Sequence, residues 1–241
     1  MRRLATILAI LAGLGVSDAV RAQETEISVD ASLDALSGYI WRGGVASDED
    51  LVLQPSLTFG FGESGVALNL WGSAFVMDRS TLDGADEVDI TLSYDTSLGE
   101  DGKIGLSIGF IEYYIPNLEG TKHTEEVYGG LSFDHQIAPS ITVYYDFGQT
   151  DDYYVAAGIG PEFPLGEGDD APVLGLGASV AISGDSYGGS AGFHDLTLTG
   201  SIGWSRGNWS FGPVAGYSYA DDGINPDNSS FWGGVSIGFS K

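Results

Sequence analysis

Hydrophobic and polar residues alternate with a period of two along most of this chain. In the first such stretch the odd-numbered positions from Ile27 to Ala35 are apolar, and the even-numbered positions between them are Ser or Asp. Because successive side chains of a strand point to opposite faces, this pattern predicts a strand with one apolar and one polar face. Helical periodicity is absent. Further strands are predicted to begin near Leu51, Val66, Val88, Ile104, Val127, Ile141, Tyr153, Val173, Leu196, Trp209 and Phe231.

The number and spacing of these strands favour a closed barrel. About twelve strands give the even number that single-chain outer-membrane barrels have, and their connections alternate between tight turns and longer loops. The tight turns lie at residues 62–65, 99–102, 138–140 and 206–208. Two connections break the alternation, because 149–152 is short and 164–172 is long. A miscounted pair of strands would explain both, so ten strands remain an alternative to twelve.

Alternation alone does not say whether the apolar face meets lipid or a protein core, since a soluble sandwich and a membrane barrel share the pattern. The strands are about ten residues long, which suits a tilted membrane crossing. The polar face carries Ser, Thr, Gly, Asn and Asp but almost no Lys. Aromatic residues near strand ends predict interfacial girdles, among them Tyr39, Trp41, Trp204 and Trp209. We therefore predict an all-β protein, a transmembrane antiparallel up-and-down β-barrel.

The first residues predict an export signal. The chain begins with Met-Arg-Arg, and the apolar run over residues 4–16 is too short to span a bilayer as a helix. Cleavage by a signal peptidase is expected after Ala22. The predicted organisation is a signal peptide over residues 1–22 and a barrel over residues 23–241, located in the bacterial outer membrane.

The last predicted strand resembles the C-terminal assembly signal of outer-membrane barrels, in which a Gly precedes alternating hydrophobic and aromatic positions. Gly234, Ile237 and Phe239 occupy the matching places. The strand departs from that signal at Trp232, where a polar residue is usual, and in the two residues that follow Phe239. The resemblance implies recognition by the barrel-assembly machinery. The last strand must also pair with the first to remove free edges, and a Gly allows a close approach there.

A second resemblance lies at the end of the first strand. Residues 37–44 spell Ser-Gly-Tyr-Ile-Trp-Arg-Gly-Gly. They are similar to the S-x-Y-x-(F/W)-R-G motif of a group of uncharacterised proteobacterial outer-membrane barrel proteins of comparable length. Residues 65–73, which contain Trp71, are similar to a second block of that group. The resemblance implies the fold and the location, together with a role in solute passage.

Strand parity assigns the side chains of this motif to opposite faces. Tyr39 and Trp41 share the parity of the apolar face, so they are expected to face lipid at the outer interface. Arg42 shares the parity of the polar face, so it is expected to point into the lumen or its mouth. The partners open to it there are Asp30, Asp34 and Asp95. Such pairing would fix a constriction, and a solvated loop arginine is the alternative.

Composition and charge narrow the function. The chain has 241 residues, with 9 basic against 34 acidic ones, a formal net charge of −25 and no Cys. Thiol chemistry, disulfides and Cys-ligated zinc are therefore excluded, and so acidic a chain would repel the phosphate backbone of nucleic acids. The predicted lumen is acidic too, which favours cations over anions. Its carboxylates are Asp30, Asp34, Asp89, Asp95, Asp134 and Asp146.

Further acidic clusters lie on the predicted loops. They fall at residues 48–50, 83–87, 151–152, 167–170 and 221–227. Calcium or magnesium could bind at the outer loops, since both ions take oxygen ligands. None of these clusters has an EF-hand spacing, so a solvated acidic rim is the alternative. No metal site and no cofactor is predicted for the barrel itself.

Catalytic chemistry finds little support in the sequence. His194 and Asp195 stand at a strand start, and with Ser183, Ser186 or Ser190 they could form a hydrolytic set at the outer rim. No recognisable motif accompanies them. No catalytic residue is therefore predicted, and the protein is not expected to be an enzyme.

Three functions follow in order of preference. The first is a narrow porin-like channel for small hydrophilic solutes, with a preference for cations. The second is a closed structural or interaction barrel that displays acidic loops to cations, lipopolysaccharide or a partner. Bulky inner-face residues that would close it are Trp71, Phe75, Tyr128 and Tyr144. The third is an outer-membrane lipid hydrolase that uses His194.

Overall fold

The computed structural model of this chain describes residues 26–47, 51–76, 86–99, 101–116, 120, 122–168 and 170–241. The predicted signal peptide lies outside these residues. Strands dominate the described chain, with two short 3₁₀ turns at Gly62–Ser64 and Asp185–Tyr187. Among the described residues, no helix has the length and apolar character needed to cross a membrane.

Fifteen strands are defined within the described residues. In chain order they are β1 (Ile27–Leu36), β2 (Ile40–Trp41), β3 (Gly44–Val45), β4 (Val52–Phe61), β5 (Val66–Phe75), β6 (Glu87–Leu98), β7 (Ile104–Tyr114), β8 (His123–Phe133), β9 (Ser140–Asp146), β10 (Asp152–Ile159), β11 (Glu162–Pro164), β12 (Val173–Ser183), β13 (Gly192–Arg206), β14 (Trp209–Ala220) and β15 (Ser229–Ser240).

Twelve of these strands form one closed antiparallel barrel, which confirms the predicted fold class. Consecutive barrel strands pair with each other, β10 pairs directly with β12, and β15 pairs with β1 to close the cylinder. The alternative of ten strands is wrong. The long connection that suggested it is explained by β11, which adds a short hairpin arm to the end of β12.

The seam between the first and last strands is tight. Leu36 lies opposite Gly234, and Asp30 lies opposite Ser240. A Cβ atom at position 234 would collide with the backbone of Ala35. Gly234 therefore permits the close strand approach that was expected at the closure.

The two faces of the barrel wall differ as the alternation predicts. The outward face carries large apolar side chains that remain exposed, including Val88, Ile90, Val143 and Ile237. The inward face carries mainly Ser, Thr, Gly and acidic residues and encloses the lumen. The described chain has one cluster of buried apolar residues, formed by Leu36, Tyr39, Val52 and Phe75, and it lies inside the barrel.

The two ends of the barrel are distinguished by their connections. At one end, here the loop end, the chain leaves β1, β5, β7, β9, β12 and β14. At the other, the turn end, it leaves β4, β6, β8, β10 and β13. The β2–β3 hairpin belongs to the loop end and leads directly to the candidate site.

Candidate functional site

The β2–β3 hairpin folds into the mouth of the lumen at the loop end. Its strands are joined by Arg42 and Gly43, which both have positive φ, 48° and 79°. Two positive φ values are what a two-residue type I′ hairpin turn requires. A Cβ atom on Gly43 would lie 2.7 Å from Cβ of Ala220 and 2.8 Å from Cβ of Asp195. The hairpin tip is thus seated directly against the inner wall formed by β13 and β14.

From this tip the side chain of Arg42 makes a bidentate ion pair with Glu126 on β8. The two guanidinium nitrogens Nη1 and Nη2 donate to Oε1 and Oε2 of Glu126, both at 2.7 Å. The hydroxyl of Tyr113 donates to Oε2 at 2.9 Å, and that of Tyr187 donates to Oε1 at 3.0 Å. The side chain of Arg42 is 8% exposed and that of Glu126 is 0% exposed. The carboxylate is therefore fully satisfied, as a buried charge must be to persist.

Aromatic rings surround the guanidinium group. Its central carbon lies 4.5 Å from the ring centroid of Trp41, 4.7 Å from that of Tyr144, 4.3 Å from that of Tyr154 and 5.5 Å from that of Tyr187. All four distances are within the range of cation–π attraction. We call Glu126, Tyr113, Tyr144, Tyr154 and Tyr187 the arginine pocket.

The electrostatics of the pocket keep its occupant charged. Burial alone would lower the pKa of Arg42, but the hydrogen bonds and the negative charge of Glu126 outweigh it and raise the pKa. Burial also raises the pKa of the Tyr187 hydroxyl. At neutral pH the pocket thus holds a cation among un-ionised phenols.

His194 holds the backbone of the same turn. Its Nε2 lies 3.0 Å from the carbonyl oxygen of Arg42 and its Nδ1 lies 2.7 Å from Oγ of Ser183. A carbonyl oxygen only accepts, so Nε2 carries the hydrogen and donates it. The carboxylate of Asp195 accepts from Tyr154 at 2.7 Å and from Thr197 at 3.2 Å.

Two members of the hydrolytic set predicted from the sequence, His194 and Ser183, are in contact, but His194 serves to hold the hairpin. His194 and Ser183 are each 2% exposed, which leaves no room for a substrate at the serine hydroxyl. Asp195, the acid that would orient the imidazole, instead accepts hydrogen bonds from Tyr154 and Thr197. The second ring nitrogen of His194 faces the carbonyl oxygen of Arg42. Ser186 uses its backbone N–H to contact Asp152 at 2.9 Å.

The expectation that Tyr39 and Trp41 face lipid is wrong. Tyr39 is buried, and its ring packs on the inner-face Trp71 with centroids 5.5 Å apart. Burial and the nearby Glu87 raise the pKa of the Tyr39 hydroxyl. The ring of Trp41 packs edge-on against the inner-face Tyr113. The physical reason is that β1 ends at Leu36, so the alternation of faces does not extend into the hairpin.

Arg42 points into the mouth of the lumen as expected, but its partner differs from those proposed. It pairs with Glu126 and with none of the three aspartates named as its partners. Asp30 instead accepts a hydrogen bond from Ser240, and Asp95 accepts one from Ser93 at 3.1 Å. The sequence offered a signal for Glu126, because it shares inner-face parity with Tyr128 on the same strand.

The other predicted lumen carboxylates divide into two groups. Asp34 and Asp89 lie on the inner face, and Oδ1 of Asp89 is buried without a hydrogen-bond partner. Asp134 lies past the end of β8, exposed at the rim. Asp146 lies at the end of β9 and anchors a loop, since it accepts from Thr124 and from three backbone N–H groups. Asp134 therefore lies at the rim, whereas Asp146 lies opposite Glu126 and is held in hydrogen bonds at the loop end.

The acidic loops use several of their carboxylates internally. Asp151 accepts from Tyr145 at 2.6 Å, Asp152 from the backbone of Ser186, and Asp221 from the backbone of Gly223 at 3.0 Å. Within the described part of the chain, no three His, Asp or Glu side chains form a group that could hold a metal ion. Of the predicted acidic clusters, residues 48–50, 83–85 and 169 lie outside the described residues.

Two predicted interfacial residues lie on the outer surface near the turn end. Trp204 is 36% exposed and stacks on Phe211, while Trp209 is 53% exposed and packs against Phe239. Ile237 also faces outward. These positions fit an aromatic girdle at one rim of the apolar band.

The lumen toward the turn end is roomy and hydroxyl-lined. One cavity of about 420 Å³ is lined by Asp95 and by side chains that include Ser97, Ser107, Ser132, Ser140 and Thr142. A second cavity of about 290 Å³ is lined by residues that include Ser140, Ser179, Thr197 and Thr199. The barrel thus has a filled mouth at the loop end above a hydrophilic interior.

Comparison with known proteins reveals one family and a common fold. The family described as "Bacterial protein of unknown function (Gcw_chp)" matches residues 20–221. A search of curated proteins finds no match. The solved structures that resemble this chain include a KdgM porin, with a TM-score of 0.56 and 10% identity over 89% of this chain and 99% of that one.

Two further structures share this fold. The KdgM porin in complex with disordered oligogalacturonate has a TM-score of 0.55 and 12% identity over 89% of this chain and 99% of that one. The NanC porin has a TM-score of 0.55 and 12% identity over 88% of this chain and 98% of that one. At such identities the likeness concerns the fold alone.

Proposed function

This chain belongs to the Gcw_chp family of bacterial proteins, and we propose that it is an outer-membrane channel for small hydrophilic solutes with a preference for cations. It combines two features of the barrel, an apolar outer face and a lumen whose unpaired charges are negative. Cleavage of an export signal after Ala22 and delivery by the barrel-assembly machinery are part of the proposal. The loop end would then face the outside of the cell, as longer loops do in such barrels.

The outer surface supports a membrane location. Its large apolar side chains stay exposed around the barrel, which water would disfavour and acyl chains would accept. Trp204 and Trp209 lie where a girdle would meet the lipid headgroups at the turn end. Lipid and lipopolysaccharide are therefore the proposed surroundings of this face.

The observation that carries the cation preference is the charge of the inner wall. Asp30, Asp34 and Asp95 face the lumen, whereas the one basic side chain among the described inner-facing residues, Arg42, is already neutralised by Glu126. A water-filled passage so lined attracts cations and repels anions.

Planar-bilayer recordings of the purified barrel test the proposal. We expect discrete conductance steps with a reversal potential that favours cations under a salt gradient. Replacing Asp30, Asp34 and Asp95 together by Asn should move the reversal potential toward zero, the value of a non-selective channel, because these negative charges of the wall are lost. Glu63→Gln, in an exposed turn, removes one charge outside the lumen and should leave the potential unchanged. Anion selectivity in the unmodified protein would contradict the proposal.

The filled mouth favours a second candidate, a closed barrel that presents its loops to cations, lipopolysaccharide or a partner. The observation behind it is the set of direct hydrogen bonds that joins the hairpin tip to the wall. Absence of conductance over many insertions would decide for it, provided that the protein shows the heat-modifiable gel migration of a folded barrel.

A further inference from the structure

We propose that the arginine pocket is a binding site for guanidinium-bearing organic cations, and that Arg42 is its built-in occupant. The inference deepens the proposed cation channel, on which it rests, by naming the solute class that the mouth would recognise. In the fold, the pocket and the group that fills it come from different segments of the chain.

The pocket is built mainly from one continuous part of the wall. Tyr113, Glu126, Tyr144 and Tyr154 stand on β7, β8, β9 and β10, which are consecutive hydrogen-bonded strands. Tyr187 reaches them from the connection after β12. The occupant comes from the connection between β1 and β4. The receptor and its cation thus belong to separate elements of the chain.

The chemistry of the pocket selects a planar, forked cation. Both oxygens of Glu126 accept parallel N–H donors at 2.7 Å, a geometry that guanidinium offers and an ammonium or metal ion does not. Rings of Tyr144, Tyr154 and Tyr187 lie within 5.5 Å of the guanidinium carbon, where a flat, weakly hydrated cation gains most. Within the pocket itself, Glu126 supplies the one carboxylate and the other oxygen atoms are phenols, which are weak ligands for an inorganic cation.

Part of the hydrogen bonding of Glu126 does not depend on the occupant. Without the guanidinium group, Glu126 still accepts hydrogen bonds from Tyr113 and Tyr187. The occupant is held by a short hairpin with two residue pairs, Ile40–Val45 and Trp41–Gly44. A tethered group has an effective concentration in the millimolar range or above, so a free cation must compete with Arg42 for the site.

Titration calorimetry of the detergent-purified full chain with methylguanidinium tests this inference. In Arg42→Ala the pocket is vacant, and we expect saturable binding about tenfold or more tighter than in the unmodified protein, because the tethered competitor is gone. Arg42→Lys keeps a tethered cation and should bind methylguanidinium more weakly than Arg42→Ala. The double variant Arg42→Ala/Glu126→Gln should lose the binding, since the carboxylate supplies the fork.

The outcomes separate this inference from the channel proposal. Each variant is first checked for heat-modifiable migration, and Arg42 lies outside the barrel strands, so the wall should fold without it. Binding in Arg42→Ala that depends on Glu126 supports the site even if the barrel never conducts. Two results would overturn it: binding in Arg42→Ala no tighter than in the unmodified protein, or equal competition by sodium and tetramethylammonium.

Discussion

The two halves of the lumen share one wall but differ in what fills it. Toward the loop end the inner face presents Glu126, Tyr113 and Tyr154, and the β2–β3 hairpin packs among them. Toward the turn end the same strands present Ser, Thr and Gly around open cavities. The outward face is apolar along both halves. The outer surface is therefore the same in both halves of the barrel, while the inner side chains determine whether the lumen of each half is filled or open.

The glycines of the turn half show how the open level is built. A Cβ atom at Gly60, Gly105 or Gly177 would collide with a neighbouring hydroxyl side chain across the strand pair, at Ser28, Ser132 and Thr199 respectively. Each of these pairs places one hydroxyl over one glycine. The inner wall thus gains polarity without bulk, which keeps the cylinder wide there.

Removal of the carboxylate from the filled half should have the largest effect. Glu126→Ala leaves a buried guanidinium and two phenols without their acceptor, which costs about 3–5 kcal/mol. We expect the hairpin to leave the mouth and the single-channel conductance to rise. Amide hydrogen exchange over residues 40–45 measures the first effect and bilayer recording the second.

The neighbouring residue supplies the control for this prediction. Glu125 precedes Glu126 on β8 and points to the opposite face, so Glu125→Ala removes the same charge without touching the pocket. Equal exchange rates in the two variants would show that the ion pair does not hold the hairpin.

A smaller effect is expected at the hairpin tip. Gly43→Ala introduces a Cβ atom that meets Asp195 and Ala220 at a backbone φ that side chains disfavour, so seating of the tip should weaken by about 1–3 kcal/mol. Hydrogen exchange of the same segment reports it. Gly207→Ala shares the positive φ, 59°, but a Cβ atom there meets nothing within 4 Å. Similar losses of hairpin protection in both variants would refute the role given to the contact.

The smallest effect should come from adding bulk to the open half. Ser140 lines both cavities, so Ser140→Tyr should reduce the conductance about twofold while leaving the hairpin protected. Ile141→Tyr places the same ring on the outward face and should leave the conductance unchanged. If both substitutions changed the conductance equally, the open half of the lumen would not be the conducting path.

Much of the fold could be predicted from the sequence because strand periodicity is local. The faces of Ile27–Leu36 and of the strands after it follow from residue parity alone, and the close approach at Gly234 was expected from the resemblance of the last strand to an assembly signal. The alternation stops at Leu36, where the chain turns into the lumen, and the positions assigned to Tyr39 and Trp41 failed at that point. Parity extrapolated beyond the end of a strand has no physical basis.

The candidate site could be predicted from the sequence only in part. Arg42 stood out because basic residues are scarce, and Ser183, which contacts His194, was one of three serines grouped with it. The partner Glu126 could not be chosen among many inner-face acids, because the pairing depends on how a loop crosses the lumen. Tyr187 lies on such a loop as well, and no periodicity applies to it.

The contacts of Arg42 have a consequence for the kinetics of folding. They join residues 84, 145 and 152 positions apart in the chain, to Glu126, Tyr187 and His194 respectively. Contacts so distant in sequence form slowly, since the chain loses the entropy of closing long loops before the contacts can stabilise it. The mouth can be completed only once strands from the beginning, middle and end of the chain are together. Burial of Arg42 should therefore be a late step that reports a finished cylinder.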